Sequence, residues 1–250
     1  MQTWGLTDPG NIRQQNQDSY AIVPFGRDRV LMIVCDGMGG AKSGNVASSL
    51  AVEVFTDEVR RTQRPGMTPE KAAAMLRSAL ELSNSAVYEQ SQLSDDFTGM
   101  GTTLVAALVR GLRVEIVNIG DSRAYHLGAD GIRCVTVDHS LVELMVQRGE
   151  LTHEQAKNHP SKNLITRALG VGRDVEADFG EKEVSPRDIL LLCSDGLSNC
   201  VSVPQIEETL ARTPFYEAAD ALVQKALEGG GLDNITVLLM QVEAVEENNG

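Results

Sequence analysis

Apolar residues fall in short blocks along this chain, and the spacing within each block changes between two periods. "DSYAIVP" (18–24) and "VLMIVCD" (30–36) are strand-like runs joined by a glycine-containing loop, which predicts a β-hairpin. After Gly44 the period lengthens. Val46, Leu50 and Val54, beside Ala47, Ala51 and Phe55, form two adjacent i, i+4 rows of a helix reaching to about Arg64. "RPGMTPE" breaks it, with Thr68 as N-cap and Pro69 in the first turn of a second helix. That helix carries Ala72, Met75, Leu76, Ala79, Leu80, Ser83 and Val87 on one face.

From Thr102 the runs shorten again. "TTLVAALV", "LRVEIVNIG", "SRAYHLG" and "IRCVTVD", with glycines at 111, 120, 128 and 131, predict an antiparallel meander. Ser140 with Glu143, and Thr152 with Gln155, have capping-box spacing for two short helices before Pro160. "DILLLCSD" (188–195) reads as a buried strand, Ser202 with Gln205 caps a short helix, and Thr213-Pro214 opens another carrying Phe215, Ala218, Ala219, Leu222, Val223 and Ala226. "NITVLLMQVEA" is the last strand and "VEENNG" a polar tail. Helices in blocks between strands imply sheet layers covered by helices, in one domain spanning residues 1–243 with a tail at 244–250.

With 250 residues, 42% of them hydrophobic and 23% charged, the chain has the composition of a globular protein. No apolar stretch approaches the ~20 residues of a membrane span, and the start lacks a basic then apolar signal pattern; a cytoplasmic location is expected. The net charge of −13 argues against nucleic-acid and acidic-membrane partners. Cys35, Cys134, Cys193 and Cys200 show neither CxxC spacing nor histidines at zinc spacing, so neither disulfides nor zinc are expected.

The chemistry lies at strand ends. "IVCDGMGG" and "LLCSDGLSN" each run an apolar segment into Asp-Gly, "NIGDSRAY" sets Asp121 beside a glycine, and "GGLDNIT" carries Asp233. Singly, each reads as a turn. Together, Asp36, Asp121, Asp195 and Asp233 form a carboxylate set whose mutual repulsion a cation would relieve. Oxygen-only ligands favour Mg²⁺ or Mn²⁺ over zinc, and a glycine after the aspartate lets a backbone carbonyl approach the same ion. Paired ions of this kind activate water for attack on phosphorus. Arg13 in "RQQNQD" adds a planar fork of donors suited to phosphate, with Asp18 following on the first hairpin strand.

"RQQNQD" (13–18), "CDGMGG" (35–40), "GTT" (101–103), "NIGDSRAY" (118–125), "VDHS" (137–140), "CSDGL" (193–197) and "DNIT" (233–236) resemble, in order and spacing, the metal-dependent Ser/Thr protein phosphatases of the type-2C (PPM) family, most of all its compact bacterial members. The resemblance runs from Gly5 to about Val242. It implies an α+β fold, an αββα sandwich of two antiparallel sheets flanked by helices. It implies Mn²⁺ or Mg²⁺, about two to three ions, with Asp36 bridging two of them. The Gly37 carbonyl and Asp18 would serve one ion, Asp195 and Asp233 the other, and Asp121 a third. Arg13 would bind the substrate phosphate, and Asn234 would support its loop. The implied reaction is hydrolysis of phosphoserine or phosphothreonine by a metal-bridged hydroxide, with no phosphoenzyme. A Ser/Thr kinase and its phosphoprotein targets are the implied partners, and a monomer the implied state.

Residues from about 147 to 169 correspond to the family's flap, locally basic through Arg148, His153, Lys157, His159, Lys162 and Arg167. Of these, Arg148, His153, Lys162 and Arg167 are the candidates for contact with a phosphopeptide. Animal members of the family carry a histidine after the Asp-Gly of "CDGMGG", proposed as general acid; Met38 stands here and has no proton to donate. Of the four histidines His139 in "VDHS" is the candidate, but its neighbours suit a loop-shaping role, so no general acid is assigned and metal-bound water or another residue would serve. The alternatives are a pseudophosphatase acting as a binding module, or a phosphatase of small phosphoesters; every matched metal position is filled, which disfavours the first.

Overall fold

The structure, a computed structural model, describes residues 1–39 and 43–243. Gly40, which ends the "CDGMGG" motif, and the polar tail at 244–250 lie outside the described residues. The strands are β1 (Gln2–Asp8), β2 (Asp18–Pro24), β3 (Arg29–Met38), β4 (Gly101–Thr102), β5 (Leu104–Arg110), β6 (Arg113–Ile119), β7 (Arg123–Gly128), β8 (Gly131–Cys134), β9 (Asp178–Glu183), β10 (Ile189–Cys193) and β11 (Ile235–Gln241). The helices are α1 (Gly44–Thr62), α2 (Pro69–Ser91), α3 (Leu141–Gln147), α4 (His153–Lys157), α5 (Asp195–Ser198), α6 (Val203–Arg212) and α7 (Phe215–Glu228).

Two antiparallel sheets result, one ordered β1-β11-β10-β7-β8 and the other β2-β3-β5-β6-β9, with β4 paired to β3. The central strands β3, β5, β6, β10 and β11 have near-continuous apolar runs because both of their faces are covered. In β3, Val30, Met32 and Val34 join the core between the sheets, whereas Leu31, Ile33 and Cys35 face the core under α1 and α2. In β10 the same alternation sends Leu190 and Leu192 inward and Leu191 and Cys193 toward α5–α7. Three apolar layers thus alternate with the two sheets, the αββα arrangement implied by the resemblance. Each fully buried aliphatic side chain contributes about 1.5–3 kcal/mol.

The predicted 18–36 hairpin forms, in a register that pairs Asp18 with Asp36 and Pro24 with Val30. Thr68 caps α2 through its side chain with Pro69 following, and the whole predicted face of α2 is buried. The predicted meander is corrected: β5 and β6 belong to one sheet and β7 and β8 to the other. The crossing occurs at Gly120–Ser122, where Gly120 takes φ +100° and Asp121 lies between the sheets. The Ser140–Glu143 box is half made, Ser140 accepting from the Glu143 N–H without a reciprocal bond, while the Thr152–Gln155 box is complete. The N-terminal amine bonds Glu243 Oε2 at 2.6 Å, so the two ends of the described chain meet beside the β1–β11 pair.

Candidate metal centre and substrate cleft

The carboxylates gather at one end of the sandwich because each ends or begins an element there. Asp18 and Asp36 are direct partners across β2 and β3. Asp195 opens α5 immediately after β10, and Asp233 stands two residues before β11. Asp121 arrives from the crossing between the sheets. Arg13, Asp36, Gly37, Asp121, Asp195 and Asp233 line one cleft of about 480 Å³.

The two Asp-Gly pairs are not turns. Gly37 lies within β3 and Gly196 within α5. A Cβ on Gly37 would stand 2.0 Å from the Gly44 carbonyl oxygen, and one on Gly196 would stand 2.0 Å from that of Asn234. Glycine is therefore required by the close approach of neighbouring backbone, which lets each preceding aspartate sit against the opposing segment.

Asp18 joins the sheets. Its Oδ2 accepts hydrogen bonds from the Ser194 and Thr236 hydroxyls, each at 2.6 Å, and both donors belong to the opposite sheet's end. Asp36 is fixed through its backbone, with its N–H on Thr103 Oγ1 at 2.9 Å and its carbonyl accepting from the Thr102 hydroxyl at 2.8 Å. Asn199 donates to Asp195 Oδ2 at 2.9 Å. Arg13 donates to Asp233 Oδ2 at 2.8 Å and keeps half of its side chain exposed toward the cleft. Asn234, buried, donates to the Pro9 and Gln15 carbonyls and accepts from the Gln17 N–H, which fixes the loop that carries Arg13.

Burial dominates the electrostatics. It pushes Asp18 and Asp121 up to about 7 and Asp195 to about 6, with neighbouring aspartates adding to each rise. Asp36 is driven well above the carboxylate range by burial and by Asp18, Asp195, Asp121 and Asp233. Asp18 Oδ1 and Asp195 Oδ1 are buried with no hydrogen-bond partner. Orphaned anionic oxygens in a crowded acidic cluster are the signature of a site completed by cations, so the residues fit divalent metal. Among the described residues no group of three or more such side chains forms a ready-made ion cage.

The flap is pinned where it returns to the sheets. Leu141 N–H bonds the Leu164 carbonyl, Thr166 N–H the His139 carbonyl, and Thr102 and Leu169 exchange both backbone bonds. Its predicted basic residues divide. His153 and Lys162 line a second cleft, beside the first. Arg148, the C-cap of α3, lines neither cleft, and Arg167 turns to Glu176 and Asp178 at 3.3 and 3.4 Å. The flap side chains that line the first cleft are Asn163 and Ile165, which carry no local sequence signal and reach it only through the Ser140–Ile165 bridge.

His139 is not placed to donate a proton to a leaving group. It is 7% exposed, absent from both clefts, and its Nδ1 accepts the Gly120 N–H at 3.2 Å while its backbone N–H donates to the Gly120 carbonyl at 2.9 Å. Its Nε2 faces Asp178 Oδ2 at 3.3 Å and Arg167 Nη1 at 3.4 Å, away from the cleft carboxylates. Met38 lines the first cleft.

The family model described as Protein phosphatase 2C matches residues 12–229. A serine/threonine phosphatase stp of Listeria monocytogenes is 40% identical over 242 residues, 96% of each chain. The serine/threonine protein phosphatase PstP of Mycobacterium tuberculosis is 39% identical over 94% of this chain, which spans 44% of that longer protein. The crystal structure of the Mycobacterium tuberculosis phosphatase PstP/Ppp superposes with a TM-score of 0.88 at 37% identity, covering 97% of this chain and 99% of that one. A structure of the PstP catalytic domain in complex with two manganese ions superposes at 0.83 and 36% identity, covering 97% of this chain and 98% of that one.

Proposed function

The chain belongs to the protein phosphatase 2C family and is a metal-dependent protein serine/threonine phosphatase, and on that premise we propose how its residues divide the work. Asp36, Asp18, the Gly37 carbonyl, Asp195 and Asp233 would hold the paired ions, with Asp36 as the ligand common to both, and Asp121 would serve a third. Mn²⁺ is the expected occupant, and Mg²⁺ suits the same oxygen donors. Bound there, the ions supply Lewis acidity and a water of lowered pKa.

The chain's own residues bind and orient the phosphoester. Arg13, held beside the carboxylates by its bond to Asp233, would offer its guanidinium fork to the phosphoryl oxygens. Met38, Asn163 and Ile165 shape the wall beside it. Hydrolysis breaks the bond between phosphorus and the serine or threonine oxygen, water supplies the new P–O bond, and the departing oxygen takes a proton. No side chain of the chain is assigned as its donor.

The observation that carries this reading is the convergence of four aspartates and Arg13 on one cleft, with Asp18 paired to Asp36 beside it and two buried carboxylate oxygens lacking any partner. Residues 1–243 act as a single catalytic domain. A Ser/Thr kinase and its targets are the expected partners, acting on a monomer in the cytoplasm; among the described residues no helix is long and apolar enough to cross a membrane.

Phosphate release from a phosphothreonine peptide tests it, with Mn²⁺ or with chelator, for wild type and Asp36→Asn. Release that needs Mn²⁺ and falls at least about 100-fold in the variant is expected, the scale of losing one preorganised charged group. Release that persists in chelator or in Asp36→Asn would overturn the assignment. Release confined to small phosphoesters would redirect the substrate class.

A further inference from the structure

A second cleft of about 620 Å³ adjoins the first, sharing Asp121, Asn163 and Asp195 with it. It runs from the carboxylate cluster outward between the flap and the α5–α6 segment. Both volumes lie within the range of ligand sites, and the shared residues make them one continuous path for an extended chain.

Arg123 is spent on Asp138, with two hydrogen bonds at 2.8 and 2.6 Å, and Asp121 and Asp195 are shared with the first cleft. The flap wall presents His153, Lys157 and Lys162, and the facing wall presents the uncharged side chains Asn199 and Ser202, which bond Asp195 and Gln205. Lys157 pairs with Glu154 at 2.8 Å, but both side chains are largely exposed, so the pair is weak and readily exchanged. Glu143 is the single acidic residue of the outer cleft and is engaged by Gln147 at 3.3 Å. Away from the metal end the lining thus carries Lys157, Lys162 and His153 against one carboxylate, Glu143, in a chain of net charge −13.

We propose that this second cleft is a subsite for acidic residues flanking the phosphoresidue, so that the enzyme prefers phosphopeptides with carboxylates on one side of the scissile phosphate. The inference rests on the phosphatase reading above and names its substrate class. Charge complementarity supplies the preference, and the flap lysines supply the charge.

The test uses the Mn²⁺-loaded protein at low ionic strength and phosphothreonine peptides with neutral, acidic or basic flanks, the acidic runs placed either before or after the phosphothreonine. A small aryl phosphate is the reference substrate. One acidic placement is expected to raise kcat/KM about fivefold over the neutral peptide, an advantage that fades in high salt. In Lys157→Glu/Lys162→Glu, checked for an unchanged thermal midpoint, the ratio of acidic-peptide to aryl-phosphate kcat/KM should fall and the basic peptide should become the better one. Equal rates on acidic and neutral peptides in the wild type, or a preference that survives the double variant, would overturn the subsite and leave the phosphatase intact. Absence of Mn²⁺-dependent release from every substrate, the aryl phosphate included, would remove the phosphatase reading and the subsite with it.

Discussion

Gly196 stands where a methyl group has no room, 2.0 Å from the Asn234 carbonyl oxygen. Gly196→Ala should therefore shift α5 and the Asp195 at its start. Urea unfolding should register a loss of about 1–3 kcal/mol, the usual cost of overpacking, together with weaker Mn²⁺ binding. His139 acts through another residue in the same way, holding Gly120 beside Asp121 with bonds to both its N–H and its carbonyl. We expect His139→Leu to weaken Mn²⁺ binding about 10–100-fold, as loss of a ligand's supporting partner does. His139→Asn, which keeps an acceptor for the Gly120 N–H, should recover part of it; Mn²⁺ titrations of the two variants give the comparison. If both variants bind Mn²⁺ like the wild type, His139 does not position Asp121.

At the scale of elements, what could be read from the sequence follows from how much local chemistry each element contains. β3 and β10 were legible because both faces are buried and their runs are unbroken. α2 was legible because it carries a cap, a proline and a one-sided apolar face. β1 and β9 were not, since "QTWGLTD" and "DFGEKE" bury no residue fully and owe their strand form to β11 and β6. α5 was hidden for a different reason: a four-residue helix opening on Asp-Gly looks like a turn until the Asn234 carbonyl packs on it. The aspartates themselves were visible as strand-end residues, but the cleft contacts of Asn163 and Ile165 depend on how the flap returns. α4 within that flap buries none of its residues and relies on its capping box. Thr152→Ala should cost about 1 kcal/mol locally. Hydrogen exchange should show faster amides across 153–158 with the global unfolding midpoint unchanged.

Over the whole molecule, the carboxylate cluster links stability to both protons and metal. Without metal, Asp18 and Asp121 near 7 and Asp195 near 6 hold protons in the folded state that the unfolded chain has already released. The native state then binds more protons than the unfolded one, so these groups lower stability progressively as pH rises from about 4 to about 7. Cations that replace those protons should reverse the loss. Thermal unfolding of chelated protein is expected to show a midpoint that declines between about pH 5 and pH 7.5. Added Mn²⁺ should raise the midpoint more at the upper end than at the lower. A Mn²⁺ shift independent of pH would disconnect the cluster from the ion.

The meeting of Met1 and Glu243 has a practical side. Gln2 pairs with Gln241 and Asp8 with Ile235, so β1 and β11 run side by side from the chain ends to the carboxylates. Seven residues of strand, about 23 Å, separate the two. A tag or further domain joined after Glu243 therefore departs from the side remote from the cleft and leaves substrate access clear. The same adjacency makes the chain a natural subject for circular permutation: a short glycine linker can close Glu243 onto Met1, and new ends can be opened in the exposed 26–28 turn between β2 and β3, with both sheets and every aspartate kept in place.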